Sequence, residues 1–315
     1  MRIAIYTLGC KVNQYETQAM EQELLRRGHT LVPFETAADG YIVNTCSVTA
    51  VSDKKSRQMI RRCRKLNPAA VVAACGCYVQ THAAEAASLD IDLIAGTGDR
   101  MAFLDLFEQA ARERQPLTLL DDALRRREFE ILPAGGMAQR TRAMLKVEDG
   151  CVNFCTYCII PYARGPVRSL PKTAAVAQTA QLRQEGYREL VLTGIEISGW
   201  GHDLKTGETL IDLLEAVSAA AGDMRLRLGS LEPRTVTEDF CRRAAQAAET
   251  MRQAYLQGCV GRVYPVLFEQ EKDGYYTGHA PNYCEVGVRA NDLHNKVLDV
   301  KITGIIGEIL IGELT

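Results

Sequence analysis

Three cysteines, Cys151, Cys155 and Cys158, fall within eight positions of the stretch GCVNFCTYCIIPY, Gly150–Tyr162. Structural zinc sites take four ligands, often as two CxxC pairs. A lone CxxxCxxC run does not fit that habit. It suits a cubane iron–sulfur cluster, which takes one protein ligand per iron and here leaves one iron open to a substrate. The run also follows a predicted strand, at the carboxyl end where α/β folds bind ligands.

A second group is scattered along the chain. Cys10 follows the first predicted strand, Cys46 the second and Cys77, in ACGCY, the third. Carboxyl ends of neighbouring parallel strands lie side by side, so these three thiols can converge on a second cluster. Cys75 competes with Cys77 for that role. Cys63, Cys241, Cys259 and Cys284 form no pattern and read as small apolar side chains.

The elements that must position these residues read as α/β. Predicted strands Arg2–Leu8, Gly40–Thr45, Ala69–Ala74 and Asp92–Thr97 alternate with helices around Glu16–Arg27, Ser52–Leu66 and Thr81–Ser88, a βαβ rhythm implying a parallel sheet. Arg112–Arg140 dissolves into charge and Pro/Gly, with RRR at Arg125–Arg127 and PAGGM at Pro133–Met137, and reads as a linker. A second series follows: strand Ala143–Glu148, the cysteine loop, helix Thr173–Gln184, strand Glu189–Thr193, helix Thr209–Ala220, strand Met224–Gly229 and helix Thr235–Glu249. After Gly258 short strands separated by turns predict a small antiparallel barrel or sandwich. The expected domains are 1–113, a linker 114–140, 141–250 and 251–315.

A chain of 315 residues, 47% hydrophobic, is large enough for two or three cores. A net charge of −2 argues against generic polyanion binding, so nucleic-acid contact needs local basic patches. The opening apolar stretch is too short for an export signal and no later run reaches membrane-spanning length. Clustered cysteines then suggest metal in a reducing, cytoplasmic compartment.

The cysteine loop GCVNFCTYCIIPYARGPVRS resembles that of radical S-adenosylmethionine enzymes, specifically the methylthiotransferases. TLGCKVNQYET (Thr7–Thr17), NTCSVTAVSDKKSRQ (Asn44–Gln58) and GCYVQ (Gly76–Gln80) resemble that family's amino-terminal domain. LGCKVNQYE is most similar to the branch acting on N6-threonylcarbamoyladenosine next to the tRNA anticodon. The last residues resemble a TRAM module, a small RNA-binding β-barrel.

The resemblance implies two [4Fe-4S] clusters, on Cys151, Cys155 and Cys158 and on Cys10, Cys46 and Cys77. It implies S-adenosyl-L-methionine chelated at the first cluster's open iron and cleaved reductively to a 5′-deoxyadenosyl radical, with methylthio transfer to C2 of the adenine. It also implies tRNA as partner, a reducing electron donor, no membrane and a monomer. Tyr157 matches an aromatic of that loop; Glu196 and Arg168 are candidates for contact with the cofactor, and Arg164 for lining the same channel. Arg57, Arg61, Arg64 and Lys65 share a helical face suited to phosphates, with a solvated charged face as the plain alternative. In the last module Tyr264, Phe268, Tyr275, Tyr276 and Tyr283 lie among Arg262, Lys272 and Arg289, a mixture that stacks bases when exposed and makes core when buried.

One departure stands against the family pattern. The family core is a partial barrel of about six βα units, and three are visible here, with a break expected near Ala247–Met251. An open half-barrel with an exposed apolar interior is therefore predicted. Its functional consequence is an alternative reading, a catalytically impaired iron–sulfur RNA-binding protein. A zinc-binding structural protein is the third.

Overall fold

Short apolar runs ending in glycine or cysteine build a parallel sheet at the amino-terminal end. The computed structural model describes residues 1–135 and 141–315, so the last part of the expected linker, 136–140 with Gly136 and Met137 of PAGGM, lies outside the described residues. The described chain forms two compact units, Met1–Phe240 and Cys241–Thr315.

The first unit begins β1 (Arg2–Thr7), α1 (Lys11–Arg26), β2 (Thr30–Leu31), β3 (Gly40–Thr45), α2 (Ala50–Leu66) and β4 (Val71–Gly76). It continues α3 (Cys77–Thr81), α4 (Ala83–Ala87), β5 (Leu93–Ala95), α5 (Arg100–Glu113) and β6 (Leu117–Leu119). All six strands pair in parallel, in the order β2-β1-β3-β4-β5-β6. Every residue of β3 and β4 is buried, as a sheet covered on both faces requires. Met59, Ile60 and Cys63 of α2 cover one face, and Met20, Leu24, Phe103 and Phe107 of α1 and α5 cover the other.

The stretch expected as a linker is in large part built into this unit. β6 adds a sixth strand, Ala123 and Leu132 are buried, and the Leu132 carbonyl accepts from Tyr15 Oη at 2.8 Å and Gln178 Nε2 at 2.9 Å. Arg126, one of the three consecutive arginines, donates to Thr97 Oγ1 at 2.6 Å. Side-chain hydrogen bonds to backbone hold the segment where apolar periodicity is missing.

The unit's second half contains β7 (Arg142–Lys146), β8 (Glu148–Asp149), α6 (Ile160–Arg164), β9 (Arg168–Ser169), α7 (Lys172–Gln184), β10 (Glu189–Thr193), α8 (Leu210–Ala221) and β11 (Arg225–Leu228). Strands β11-β10-β7 form a three-stranded parallel sheet, and β8 pairs with β9 antiparallel. Register sets Arg142 and Arg225 beside Glu189, and Met144 and Arg227 beside Val191. Glu189 receives Arg142 Nε at 2.6 Å and Arg227 at 3.4 Å. The open face is thus polar and ion-paired, not the apolar interior expected. Alternation in ELVLT and RLRL puts the leucines on the helix-covered side and the charges on the other.

Helix α9 (Glu238–Gln257) spans Ala247–Met251, the positions where the family's sequence pattern is interrupted. The second unit closes a five-stranded barrel, β12-β13-β14-β16-β15, from β12 (Val263–Lys272), β13 (Tyr275–His279), β14 (Glu285–Val288), β15 (Val297–Ile306) and β16 (Ile309–Leu314). One of its pairings, β14 with β16, is parallel, so the barrel is not purely antiparallel. Phe268 is core, Tyr276 packs edge-on against it with ring centroids 6.2 Å apart, as aromatic pairs prefer, and Tyr283 is exposed.

Candidate functional site

The strand order reverses between β1 and β3, since β2 lies on one side of β1 and β3 on the other. Ligands of open α/β sheets bind outside the carboxyl ends of strands at such a point. Cys10 follows β1 and Cys46 follows β3, one at each side of the crevice, while Cys77 opens α3 straight after the neighbouring β4. Gly76 makes that last turn with φ +97°; a Cβ there would meet the Thr45 carbonyl oxygen at 2.5 Å. Cys10 is exposed and Cys46 and Cys77 are buried.

The other three cysteines share one loop. Cys151 N–H donates to the Gly165 carbonyl at 2.9 Å, Cys158 N–H to the Cys155 carbonyl at 2.9 Å, and Asn153 N–H to the Cys151 sulfur at 3.5 Å. Gly150, at φ +93°, lets the chain pass the Pro166 carbonyl, which a Cβ would meet at 2.1 Å. Cys155 is exposed, and Cys151 and Cys158 are half-buried. Burial raises the Cys151 thiol and the neighbouring Glu196 and Glu148 carboxyls add to that, opposed by the Asn153 N–H. Burial pushes Cys77 up to about 11, opposed by the Arg164 guanidinium.

A buried ion network joins the two groups. Glu16 of α1 is fully buried and binds Arg100 at 2.8 Å, Lys146 at 3.5 Å and Arg164. Asp149 binds Lys146 at 3.2 Å and both Arg164 and Arg168 at 3.4 Å. Arg164 also donates to Asn13 Oδ1 at 2.6 Å, and Asn13 anchors the backbone at Leu8 and Thr45. Burial works to raise the Glu16 carboxyl, but Arg100, Arg164 and Lys146 hold it down to about 2. Arg164 keeps its charge against burial through Glu16, Cys77, Asp149 and Cys10. It lies six residues after Cys158 and so ties the loop to the other trio.

Arg164 is therefore enclosed in the network and does not line a channel. Arg168 faces a cavity of about 250 Å³ shared with Asp149 and Arg126. Glu196 lines a different cavity of about 510 Å³, beside Val152 and Asn153 of the cysteine loop and Arg234. Tyr157 is 90% exposed and lines neither. Cys75 is fully buried and faces α1 and α5, on the sheet face that holds Leu24 and Phe107. In α2, Arg57 pairs with Glu85 at 3.2 Å and Arg64 with Asp90 at 3.1 Å and Asp92 at 2.9 Å, which leaves Arg61 and Lys65 as the exposed cations of the four.

Sequence reasoning missed Glu16, Asn13, Arg100, Lys146, Glu148 and Asp149. A signal existed for Glu16: it shares a helical face with Val12, Tyr15, Ala19 and Met20, all buried. Glu148 is also fully buried; its Oε2 accepts from Glu196 N–H at 2.7 Å and its Oε1 has no partner. Burial and the nearby Asp149 and Glu196 charges raise it well above the usual carboxyl range, against the N–H groups of Glu196 and Ile195.

Among the described residues, no three His, Cys, Asp or Glu side chains are grouped to hold a single metal ion. A cubane makes a different demand, one thiolate on each iron, with sulfurs spread around a larger body. The donor chemistry fits such a group. Sulfur ligands are present, and beneath them the cations Arg100, Lys146, Arg164 and Arg168 outnumber the carboxylates Glu16 and Asp149. The Arg100 N–H also donates to the Glu130 carboxylate, and with Glu130 counted as ionised four cations still face three carboxylates, an excess that complements an anionic thiolate–sulfide body.

Residues 2–96 match the family described as Uncharacterized protein family UPF0004. The threonylcarbamoyladenosine tRNA methylthiotransferase MtaB of Bacillus subtilis is 42% identical over 238 residues, covering 75% of this chain and 53% of that protein. MtaB of Aquifex aeolicus is 36% identical over 241 residues, covering 76% and 58%. A solved structure of the radical S-adenosylmethionine methyltransferase TsrM from Kitasatospora setae covers 81% of this chain and 66% of its own, with a TM-score of 0.43 at 15% identity, too low a likeness to carry a structural equivalence. The chain spans little more than half the length of the curated relatives it matches. No helix among the described residues is long and apolar enough to cross a membrane. Over about three quarters of its length this chain is similar to the threonylcarbamoyladenosine tRNA methylthiotransferases MtaB of these two bacteria.

Proposed function

We propose that this chain is a methylthiotransferase of the radical S-adenosylmethionine type, acting in the cytoplasm on the threonylcarbamoyladenosine beside the tRNA anticodon. The observation that carries the reading is Arg164: from the end of the cysteine loop it donates to Asn13 Oδ1 at 2.6 Å, and Cys10 Sγ donates to the same oxygen at 3.7 Å, which supports one shared region for both trios. Cys151, Cys155 and Cys158 would hold the [4Fe-4S] cluster that binds S-adenosyl-L-methionine, and Cys10, Cys46 and Cys77 an auxiliary [4Fe-4S] cluster. The bound cluster and cofactor supply reductive sulfonium cleavage, with an external electron donor. Glu196, on the wall of the 510 Å³ cavity next to the loop, would meet the cofactor's cationic amino group. The network around Glu16 and Asp149 fixes the loop's carboxyl-terminal end and keeps water from the buried charges. Arg168 acts through Asp149, and Tyr157 remains available at the surface for the partner.

A second reading has its own support. The core sheet of the described residues has three strands, which favours an iron–sulfur RNA-binding protein without turnover. Anaerobic reconstitution with iron and sulfide, followed by assay of 5′-deoxyadenosine release and methylthiolation of tRNA, separates the two. Release comparable with the Bacillus relative supports the enzyme. A brown, fully loaded chain that binds tRNA without release supports the second reading, and a chain that retains no iron on either trio refutes both.

A further inference from the structure

Parallel sheets with both faces covered read as nearly continuous apolar runs. The sheet β7–β10–β11 does not. Its leucines 190 and 192 are buried with Leu145 on the side of α7 and α8, while the opposite side carries Arg142, Glu189, Arg225 and Arg227. Arg142 and Arg227 of this side, with Met144 and Val191 between them, form the floor of a cavity of about 490 Å³, and Lys11, Gln14 and Gln18 of α1 form its wall. Glu189 is the carboxylate that Arg142 and Arg227 share, so three cations with Lys11 face one anion. Helix α1 also begins here, with no acidic residue in its first turn to offset the amino-terminal dipole. The concavity is cationic and rich in donors.

We propose that this face of the open sheet is a docking surface for the phosphate backbone of RNA, separate from the 510 Å³ cavity beside the cysteine loop. The proposal rests on the reading of the chain as one that acts on tRNA. Charge decides the occupant. A polypeptide that sealed the sheet would have to bury Arg142, Arg225 and Arg227 against apolar side chains, at a large desolvation cost. Phosphates take the same guanidinium groups in bidentate fashion and release condensed counterions when they do. Gln14 and Gln18 add donors for the sugar and phosphate oxygens.

The test uses the full chain and an anticodon stem–loop RNA hairpin, with binding followed by fluorescence anisotropy across a salt series. The double variant Arg142→Gln/Arg227→Gln should weaken binding and lower the slope of log K against log salt by about 1 to 2. Gln14→Glu/Gln18→Glu leaves the pairs of Glu189 intact, so it guards against a mere folding defect, and it should weaken binding at least tenfold at low salt. Wild-type affinity and slope in both variants would overturn the proposal. So would a change in self-association, seen by sedimentation, with RNA binding intact, because that assigns the face to a second polypeptide. Binding needs no turnover, so failure of deoxyadenosine release leaves this readout standing.

Discussion

The two parallel sheets of the first unit are finished differently. In the six-stranded sheet β3 and β4 are buried at every residue, and helices cover both faces. In the three-stranded sheet one face is covered and the other carries arginines over a cavity. Each sheet presents cysteines at its carboxyl edge, but the complete sheet gathers them from three strand ends and the short sheet from one loop. Covered strands can fix distant residues against one another; a loop on a half-open sheet must carry its cysteines close together in sequence. The difference is one of stability as well as access, and the buried pairs at the junction should matter far more than those on the open face.

The largest expected effect sharpens that contrast. Glu16→Gln leaves Arg100 and Arg164 buried without their shared carboxylate and should cost about 3–5 kcal/mol in urea denaturation. Glu189→Gln breaks pairs with arginines that are 57% and 55% exposed, and should cost about 1 kcal/mol or less. Equal costs would erase the distinction between junction and open face. The acid limb tests the same carboxylate. Its folded pKa lies below the ordinary value of 4.5, at about 2, so its stabilisation is complete above pH 4.5 and is lost as pH falls toward 2. Wild type should lose roughly 3 kcal/mol over that window, and Glu16→Gln should lack that part of the dependence.

A middle-sized effect compares the cysteine groups. Cys77→Ser puts a hydroxyl in a site 3% exposed and should cost about 1–3 kcal/mol before any iron is added. Cys155→Ser, on the exposed loop, should change stability by about 0.5 kcal/mol or less. After anaerobic reconstitution each variant should lose roughly half of the bound iron if each trio holds one cluster. Loss of iron from neither variant would remove the cluster assignment for both.

How much of this was legible in sequence follows the same division. The strand ends that precede Cys10, Cys46 and Cys77 were readable because each apolar run stops at a glycine or a cysteine, and a parallel sheet converts distance along the chain into neighbourhood at one edge. Helix α5 was also written plainly, in Phe103, Leu104, Phe107 and Ala110 at helical spacing, yet went unread among the charges around it. The segment after β6 could not be read, because Leu132 and Arg126 are held by side-chain hydrogen bonds from residues dozens of positions away. Arg164 illustrates the limit: an arginine after a cysteine loop looks solvent-facing until Glu16, 148 positions earlier, is brought beneath it. The polar open face was legible in RLRL, whose alternation contradicts an apolar interior.

The smallest effect concerns Glu148, which stands where the short sheet meets the cysteine loop. Its Oε2 accepts the Glu196 N–H, and Gly194 passes so close that a Cβ would lie 2.6 Å from the same oxygen. The carboxyl therefore fixes the turn that carries Glu196 toward its cavity. Burial raises its pKa, so the folded state favours the neutral acid, and wild-type stability should fall as pH rises above the ordinary 4.5 toward the folded value. Glu148→Gln can accept the same N–H but cannot ionise. At pH 5 it should be less stable than wild type by about 1 kcal/mol, since its amide occupies the unpartnered Oε1 position. At pH 8 that deficit should shrink or reverse. A stability difference that stays constant between the two pH values would mean that Glu148 is ionised in the folded chain, held by its N–H donors, and that the junction contains one more anion than its burial implies.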